Sequence, residues 1–328
     1  MSSVAVAILN YNGAQYLNKF LPVLINFSGE AKIYVIDNAS TDDSISTLQQ
    51  YASVQVIHLD KNYGYAEGYN RGLAQINADY FILLNSDVEV TPNWIQPMLS
   101  FLEENREYVV CQPKILDWNI KDQFEYAGAA GGFIDYLGYP YCRGRIFTHL
   151  EKDDGQYDDP TDVLWASGAC MMIRSEVFHE LGGFDADFFA HMEEIDLCWR
   201  IYAENKKAIC LPKSSVYHVG GGTLNYGSPN KTYLNFRNSL IVLCKNLSAA
   251  DLFIVLPTRI VLDIIAGISM KSFKHLGAIL RANFDFYRSI RHHLNKRKHP
   301  KRADVLLEGN KSILFLYFIL RKKTFSKL

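Results

Sequence analysis

Asp87 ends the stretch Asp79-Tyr80-Phe81-Ile82-Leu83-Leu84-Asn85-Ser86-Asp87-Val88-Glu89-Val90. The apolar run before it is too short for a typical helix and reads as a strand buried on both faces. A carboxylate at the carboxyl end of a buried parallel strand sits at the mouth of the sheet, where open α/β folds bind ligands. Its hard oxygens suit Mg²⁺ or Mn²⁺ carrying a diphosphate rather than zinc. The same Asn-Ser-Asp also reads as a plain strand-to-turn exit, since these residues favour turns. A second acidic group, Glu193-Glu194-Ile195-Asp196, follows Phe188-Phe189. Like charges disfavour each other's ionisation, so such a cluster can keep one carboxylate basic enough to take a proton near neutrality. Acids also gather at helix N-termini for electrostatic reasons alone, and the spacing by itself favours that second reading. His218 stands before three glycines and offers an imidazole to a metal or a phosphate. A lone histidine at a strand end is more often an ordinary surface residue.

The elements that must position these groups alternate. Strands are expected at Val4 to Leu9, Lys32 to Asp37, Val54 to Leu59 and Tyr80 to Asn85. Helices are expected from Ala14 to Phe27, from the Ser40-Thr41-Asp42 cap to about Tyr51, from Glu67 to Ile76 and from Trp94 to Glu104. Strand alternating with helix implies a parallel sheet with right-handed crossovers. Residues 111 to 165 lose this rhythm and read as loops and short antiparallel strands able to shape a pocket. Val163 to Ile173 resumes as strand, Ser175 to Leu181 and Glu193 to Asn205 as helices, and Ala208 to Leu211 as an edge strand leading to His218. From Tyr233 the pattern is helical almost to the end. The boundary expected is therefore an α/β catalytic domain over 1–230 and a helical region over 231–328.

Composition narrows the classes. The net charge of −1 hides an asymmetry, with 15 Lys/Arg against 3 Asp/Glu from Met270 to Leu328. A basic tail on an acidic body points to an anionic surface as partner. The six cysteines are scattered with no Cys-x-x-Cys pair, so neither a zinc site nor a disulfide framework is signalled, and a reducing compartment fits. Met1-Ser2-Ser3-Val4 has no basic stretch and runs into a strand, so no signal peptide is expected. No run of 18 apolar residues occurs, and Pro257, Arg259 and Asp263 make the segment Leu252 to Ile268 a poor spanning helix. No Gly-x-Gly-x-x-Gly follows the first strand, which argues against a dinucleotide-binding domain.

Seven motifs stand in order. They are Ile8-Leu9-Asn10-Tyr11-Asn12-Gly13, Val35-Ile36-Asp37-Asn38-Ala39-Ser40-Thr41-Asp42, Asn62-Tyr63-Gly64-Tyr65-Ala66-Glu67-Gly68-Tyr69-Asn70-Arg71-Gly72, Leu84-Asn85-Ser86-Asp87, Gly168-Ala169-Cys170-Met171-Met172-Ile173-Arg174, Gly182-Gly183-Phe184-Asp185 through Glu193-Glu194-Ile195-Asp196-Leu197-Cys198-Trp199-Arg200, and His218-Val219-Gly220-Gly221-Gly222. Over about residues 3 to 225 the chain resembles the family 2 glycosyltransferases of GT-A fold, particularly their rhamnosyltransferase-like branch. The resemblance implies a Rossmann-like nucleotide-diphospho-sugar transferase fold with a mostly parallel central sheet, followed here by helices.

It also implies roles. Asp37 would hydrogen-bond the base of a nucleotide, with backbone near Leu9 and Tyr11 completing that pocket; its other reading is a turn aspartate capping the next helix. Asn62 and Asn70, with the glycines beside them, suit a sugar nucleotide lying over the sheet, or ordinary helix entry. Asn85-Ser86-Asp87 takes the place of the family's Asp-x-Asp. Asp87 is thus the expected ligand of Mg²⁺ or Mn²⁺, and Asn85 and Ser86 contacts to ribose or phosphate. His218 would complete metal or diphosphate binding. Trp165 and Gly168 would border the transferred sugar, Trp165 also reading as core. The family's usual Glu-Asp is Glu193-Glu194 here, so Glu193 falls on the donor side and Glu194 inherits the base.

The reaction implied is inverting transfer from a nucleoside-diphosphate sugar, dTDP- or UDP-linked with rhamnose a candidate, to a glycan or lipid-linked acceptor. The other reading is a sugar-nucleotide-binding module without catalysis, because Glu194 replaces the usual Asp. A nucleic-acid partner would explain the tail but not the seven motifs. Basic clusters interleaved with Leu252-Phe253-Ile254 and Leu314-Phe315-Leu316-Tyr317-Phe318 point to docking on an anionic bilayer at the cytoplasmic face, or to a dimer contact.

Overall fold

A computed structural model describes residues 2–220, 227–298 and 312–328. Gly221 and Gly222 of the glycine motif, and Lys301 and Arg302 of the basic tail, lie outside the described residues. In chain order the first half gives β1 (Val4–Asn10), α1 (Ala14–Phe27), β2 (Lys32–Asp37), α2 (Ser44–Leu48), β3 (Val54–His58), α3 (Gly64–Leu73), β4 (Tyr80–Asn85), β5 (Val88–Val90) and α4 (Gln96–Glu104). There follow β6 (Tyr108–Asp117), β7 (Gly132–Ile134), β8 (Pro140–Cys142), β9 (Arg145–Ile146), β10 (His149–Leu150), β11 (Thr161–Val163), β12 (Cys170–Arg174), α5 (Ser175–Glu180), α6 (Glu193–Ala203) and β13 (Lys207–His218). Three long helices follow, α7 (Pro229–Asn246), α8 (Ala249–Ser269) and α9 (Phe273–Asn295), and then short helical turns at Phe315–Ile319 and Phe325–Lys327.

The central sheet runs β11-β13-β6-β12-β4-β1-β2-β3, with β5 added on β13. Strands β3, β2, β1 and β4 are all parallel, so Asp37, Asn10 and Asn85 end side by side at one edge. Side chains alternate across the pleat. Val4, Val6 and Ile8 join a core under α1 and α4, whereas Ala5 and Ala7 join the core on the other face with α3, α6 and the C-terminal helices. That second core is continuous from Ala5 to Phe286 and Ile313, and so runs across residue 230.

Three expectations fail. The region read as irregular from residue 111 contains most of β6, a ten-residue strand in the middle of the sheet, paired with β12 and β13. Gln112, Pro113 and Lys114 break its apolar pattern. Lys114 is nonetheless buried, because Asp153 (2.8 Å) and Asp158 neutralise it. The short edge strand at 208–211 is the start of the twelve-residue β13, an interior strand. Its register shifts between Leu211 and Ser215, where Pro212 has no N–H to give a ladder. The expected strand 163–173 is two strands, β11 and β12, separated by residues 164–169, where Trp165 bridges to Gly132 and a turn follows at Gly168 and Ala169.

Candidate active site

A cavity of about 530 Å³ opens at the carboxyl ends of β1 and β4. Asp87 forms one wall. It lies between β4 and β5, and β5 pairs with β13 so that Val88 faces His218 while Val219 N–H donates to the Asp87 carbonyl at 3.0 Å. This ladder sets His218 Nε2 3.1 Å from Asp87 Oδ1 and 3.4 Å from Asn85 Nδ2. The other ring nitrogen, Nδ1, lies 3.1 Å from Glu125 Oε2. Burial disfavours an imidazolium here, but Glu125 and Asp87 outweigh it and lift His218 to about 10. A divalent cation displacing the Nε2 proton would find one hard oxygen and one imidazole nitrogen on the same wall, a pair that suits Mn²⁺ and, with added water or phosphate oxygens, Mg²⁺. The residues therefore fit a divalent cation.

The facing wall is the start of α6. Phe189, His191 and Met192 all have positive φ, at 61°, 70° and 76°, so three residues without the freedom of glycine take left-handed backbone just before Glu193. Such strain persists only where surrounding contacts fix it. Here Asn238 Nδ2 donates to the carbonyls of Phe188, Ala190 and His191 at 2.8–2.9 Å. The acids that the sequence left together are separated in space. Asp196 turns away and bonds Arg200 (2.9 Å), Lys245 (2.8 Å) and Asn246 (2.9 Å). Glu193 and Glu194 line the cavity, and each has a buried Oε2 without a hydrogen-bond partner. Burial raises the Glu194 carboxyl to about 7, against the pull of backbone N–H groups at 194, 195 and 192. Burial, with the neighbouring Glu194, also pushes the Glu193 carboxyl well above the usual carboxylate range. A helix N-terminus would ordinarily favour the charged form, so burial wins here.

Leu9, Tyr11, Asn62, Ser86, Trp165 and Gly168 all reach the cavity. Asn62 also bonds Asn38 (3.1 Å) and the Gly64 N–H (2.8 Å). Gly168 is required by packing, since a Cβ there would stand 2.8 Å from the Tyr65 hydroxyl, which donates to the Gly168 carbonyl at 2.6 Å. Trp165 is core and wall at once: it is 3% exposed and its Nε1 donates to the Phe133 carbonyl.

Asn70 does not reach the cavity. Its side chain grips the backbone of Phe184, donating to the carbonyl at 2.8 Å and accepting from the N–H at 2.9 Å. Asp37 is buried beneath the cavity floor, where it accepts from the Ser40 N–H (3.2 Å) and Asn10 Nδ2 (3.3 Å). Its neighbour Asn38, not its own carboxylate, lines the space. Glu89 is held outside by Trp118 and Lys121.

Residues 5–182, more than half of the chain, match glycosyl transferase family 2. The chain belongs to that family. The GT-A fold is borne out by similarity to solved glycosyltransferases: GalNAc-T7 crystallised with UDP, GalNAc and Mn²⁺ (TM-score 0.60, 19% identity, 76% of this chain and 49% of that one) and Staphylococcus aureus TarS 1–349 with UDP-GlcNAc (TM-score 0.58, 17% identity, 90% and 84%). Among curated relatives, a low-salt glycan biosynthesis hexosyltransferase of Haloferax volcanii is 26% identical over 249 residues, 74% of this chain and 75% of its own. An N-acetylglucosaminyl-diphospho-decaprenol L-rhamnosyltransferase of Mycobacterium tuberculosis is 27% identical over 234 residues, 65% and 75%.

Within this family 2 glycosyltransferase, two cavity groups, Arg145 and Lys231, and the buried Glu125 behind His218 escaped the sequence reading. Glu125, Arg145 and Lys231 come from the irregular region and from the first turn of α7, and no local pattern marks them. A separate group of Asp187, His292 and His293 brings its ligand atoms within 4.8 Å of one another. Lys296 (2.5 Å) and His292 (2.7 Å) already occupy Asp187 Oδ2. An ammonium there opposes a second cation, and the group instead clamps α9 to the segment leading into α6. The helix α8 departs from expectation too. It is continuous through Pro257 and, at 21 residues with mean hydropathy 2.0 over an 18-residue stretch, is long and apolar enough by composition to cross a membrane.

Proposed function

We propose that the chain is an inverting glycosyltransferase. It moves a sugar from a nucleoside-diphosphate donor, dTDP- or UDP-linked with rhamnose as candidate, to a hydroxyl of a glycan or lipid-linked saccharide in cell-surface glycan synthesis. The observation that carries this reading is one cavity with Asp87–His218 on one wall and, on the other, Glu193 and Glu194, each with one unpartnered carboxylate oxygen. The name of the mycobacterial relative, a rhamnosyltransferase acting on a diphospho-decaprenol saccharide, supports the choice of donor and acceptor. Asp87 and His218 would hold Mg²⁺ or Mn²⁺, whose charge offsets that of the diphosphate leaving group. Leu9, Tyr11, Asn62, Asn85 and Ser86 position the nucleotide, with Asp37 stiffening the floor below; Trp165 and Gly168 border the sugar. Glu194, deprotonated above about pH 7, accepts the proton of the acceptor hydroxyl as that oxygen displaces the diphosphate in line. Glu193, held protonated by burial and by Glu194, serves as a hydrogen-bond donor to a sugar hydroxyl.

The test is a panel of nucleotide sugars with Mn²⁺ or Mg²⁺, scored for release of free nucleoside diphosphate. Turnover of one donor that disappears with chelator and in folded Asp87→Ala and Glu194→Gln variants is expected. Nucleotide binding with no turnover on any donor or acceptor would favour the binding-module reading instead.

The acceptor's lipid places the enzyme at the cytoplasmic face of an anionic membrane. One face of α8 packs on the body through Arg259, which bonds Asp263, the Leu137 carbonyl and Ser239. The opposite face exposes Phe253 (83%), Val261, Ile265 and Ile268, continued by Phe273 (95%) at the start of α9. Lys271, Lys274 and Arg281 are exposed beside it, which matches an anionic lipid surface better than an apolar partner. Lys296 and Arg297 do not belong to this face, because they bond Asp185, Asp187 and backbone carbonyls. The buried Arg259–Asp263 pair argues for a helix lying on the bilayer rather than spanning it. Flotation with anionic but not neutral liposomes is expected; dimerisation without flotation would assign the face to a second copy.

A further inference from the structure

Three arginines of the irregular region and α8 are almost fully buried, and two of them are bonded to oxygen acceptors. Arg143 bonds Thr161, Asp159 and the carbonyls of Tyr157 and Asp159. Arg259 bonds Asp263, Ser239 and the Leu137 carbonyl. Arg145, only 6% exposed, is different. Among the described residues its guanidinium meets no oxygen acceptor: its one hydrogen bond goes to Cys142 Sγ at 3.2 Å, its Nε has no partner, and the group stacks on the Tyr126 ring at 4.6 Å. A guanidinium carries five N–H donors in one plane, and burying it without acceptors is costly. Nothing in the packing requires that charge, since the small sheet β7–β10 is apolar where it meets the core. Arg145 opens on the cavity, as does Lys231 from the first turn of α7, itself desolvated enough to lower its pKa. Both cations feel Glu125, whose single carboxylate is already engaged by His218.

We propose that Arg145, together with Lys231, binds a diphosphate group in this cavity. A diphosphate supplies coplanar pairs of acceptor oxygens that match the guanidinium fork, which the thiol of Cys142 cannot. The inference rests on the glycosyl-transfer reading only for the origin of that group. It comes either from the acceptor's lipid diphosphate or from the donor. The position favours the acceptor, because Arg145 shares the cavity with Arg259 of α8, and α8 carries the proposed lipid-facing surface.

Calorimetric titration with farnesyl diphosphate and with farnesol, with and without saturating UDP and Mn²⁺, tests this on the full chain. Wild type should bind farnesyl diphosphate at least tenfold more tightly than Arg145→Gln, with Arg145→Lys recovering part of the loss and farnesol unaffected. Binding that persists under UDP and Mn²⁺ assigns the group to the acceptor. Competition by UDP, with weaker UDP binding in Arg145→Gln, assigns it to the donor. Equal affinity of wild type and Arg145→Gln for farnesyl diphosphate, or binding by neither, overturns the proposal. Arg145→Met serves as folding control and should melt no lower than wild type, because it removes an unpaired buried charge. The readout is binding, so failure of sugar transfer would leave it standing.

Discussion

Glu125 Oε2 stands 3.1 Å from His218 Nδ1, on the side of the ring opposite Asp87. A carboxylate in that place fixes the ring's orientation and keeps a proton on Nδ1, leaving Nε2 for a metal. Glu125→Gln should therefore weaken Mn²⁺ binding in the presence of UDP by about tenfold. Electron paramagnetic resonance of free Mn²⁺ reads this directly. Unchanged affinity would reduce Glu125 to a buried counter-charge.

Glu194 gives a pH profile of definite sign. Its carboxyl titrates near 7 in the folded chain, against an ordinary 4.5. The rate with saturating donor and acceptor should rise through pH 7 and level off above it. Glu194→Gln should lower turnover by about 10²–10⁴-fold while nucleoside diphosphate still binds.

The same shift has a stability consequence. A raised folded pKa means that the stabilising proton uptake is fully present below pH 4.5 and lost as pH climbs through 7. Glu194→Gln should therefore melt above wild type at pH 8, with the gap closing towards pH 4.5. A gap independent of pH would mean that Glu194 is not buried as a neutral acid.

Asn70 acts through the backbone of Phe184. Asn70→Ala deletes two hydrogen bonds, each worth about 1 kcal/mol. It should lower the chemical-denaturation midpoint while leaving the donor KM near wild type. A large rise in KM with unchanged stability would return Asn70 to the binding site.

Charges placed on the apolar face of α8 and α9 should abolish membrane docking without touching the cavity. Phe253→Glu with Phe273→Glu is expected to eliminate liposome flotation and retain nucleotide binding. Both side chains are mostly exposed, so the melting temperature should change little.

The first half of the sheet was legible because each strand is an apolar run ended by a polar residue at the mouth. That pattern delivered β1, β2 and β4 and put Asp87 at the cavity. It failed at β6 and β13, where Lys114 and Pro212 interrupt the run. Lys114 is tolerated only because Asp153 and Asp158 reach it from about forty residues away, a compensation invisible to any local window. The acids 193, 194 and 196 looked equivalent for the same reason. What distinguishes Asp196 is Lys245 and Asn246 on α7, and only the fold brings that helix alongside. Asn70 and Asn62 occupy similar motif positions, yet one holds a turn and the other a cavity wall.

The core that runs unbroken from Ala5 to Ile313 makes this protein indivisible. Ser239 and Arg259 line the same cavity as Asp87 and Glu194. A shortened protein ending near residue 230 would lose that wall and leave Asp196 without Lys245 and Asn246. It would also expose the inner face of the sheet. The C-terminal helices are thus no removable adaptor: grafting them onto another protein, or swapping them between relatives, would take one wall of the cavity with them.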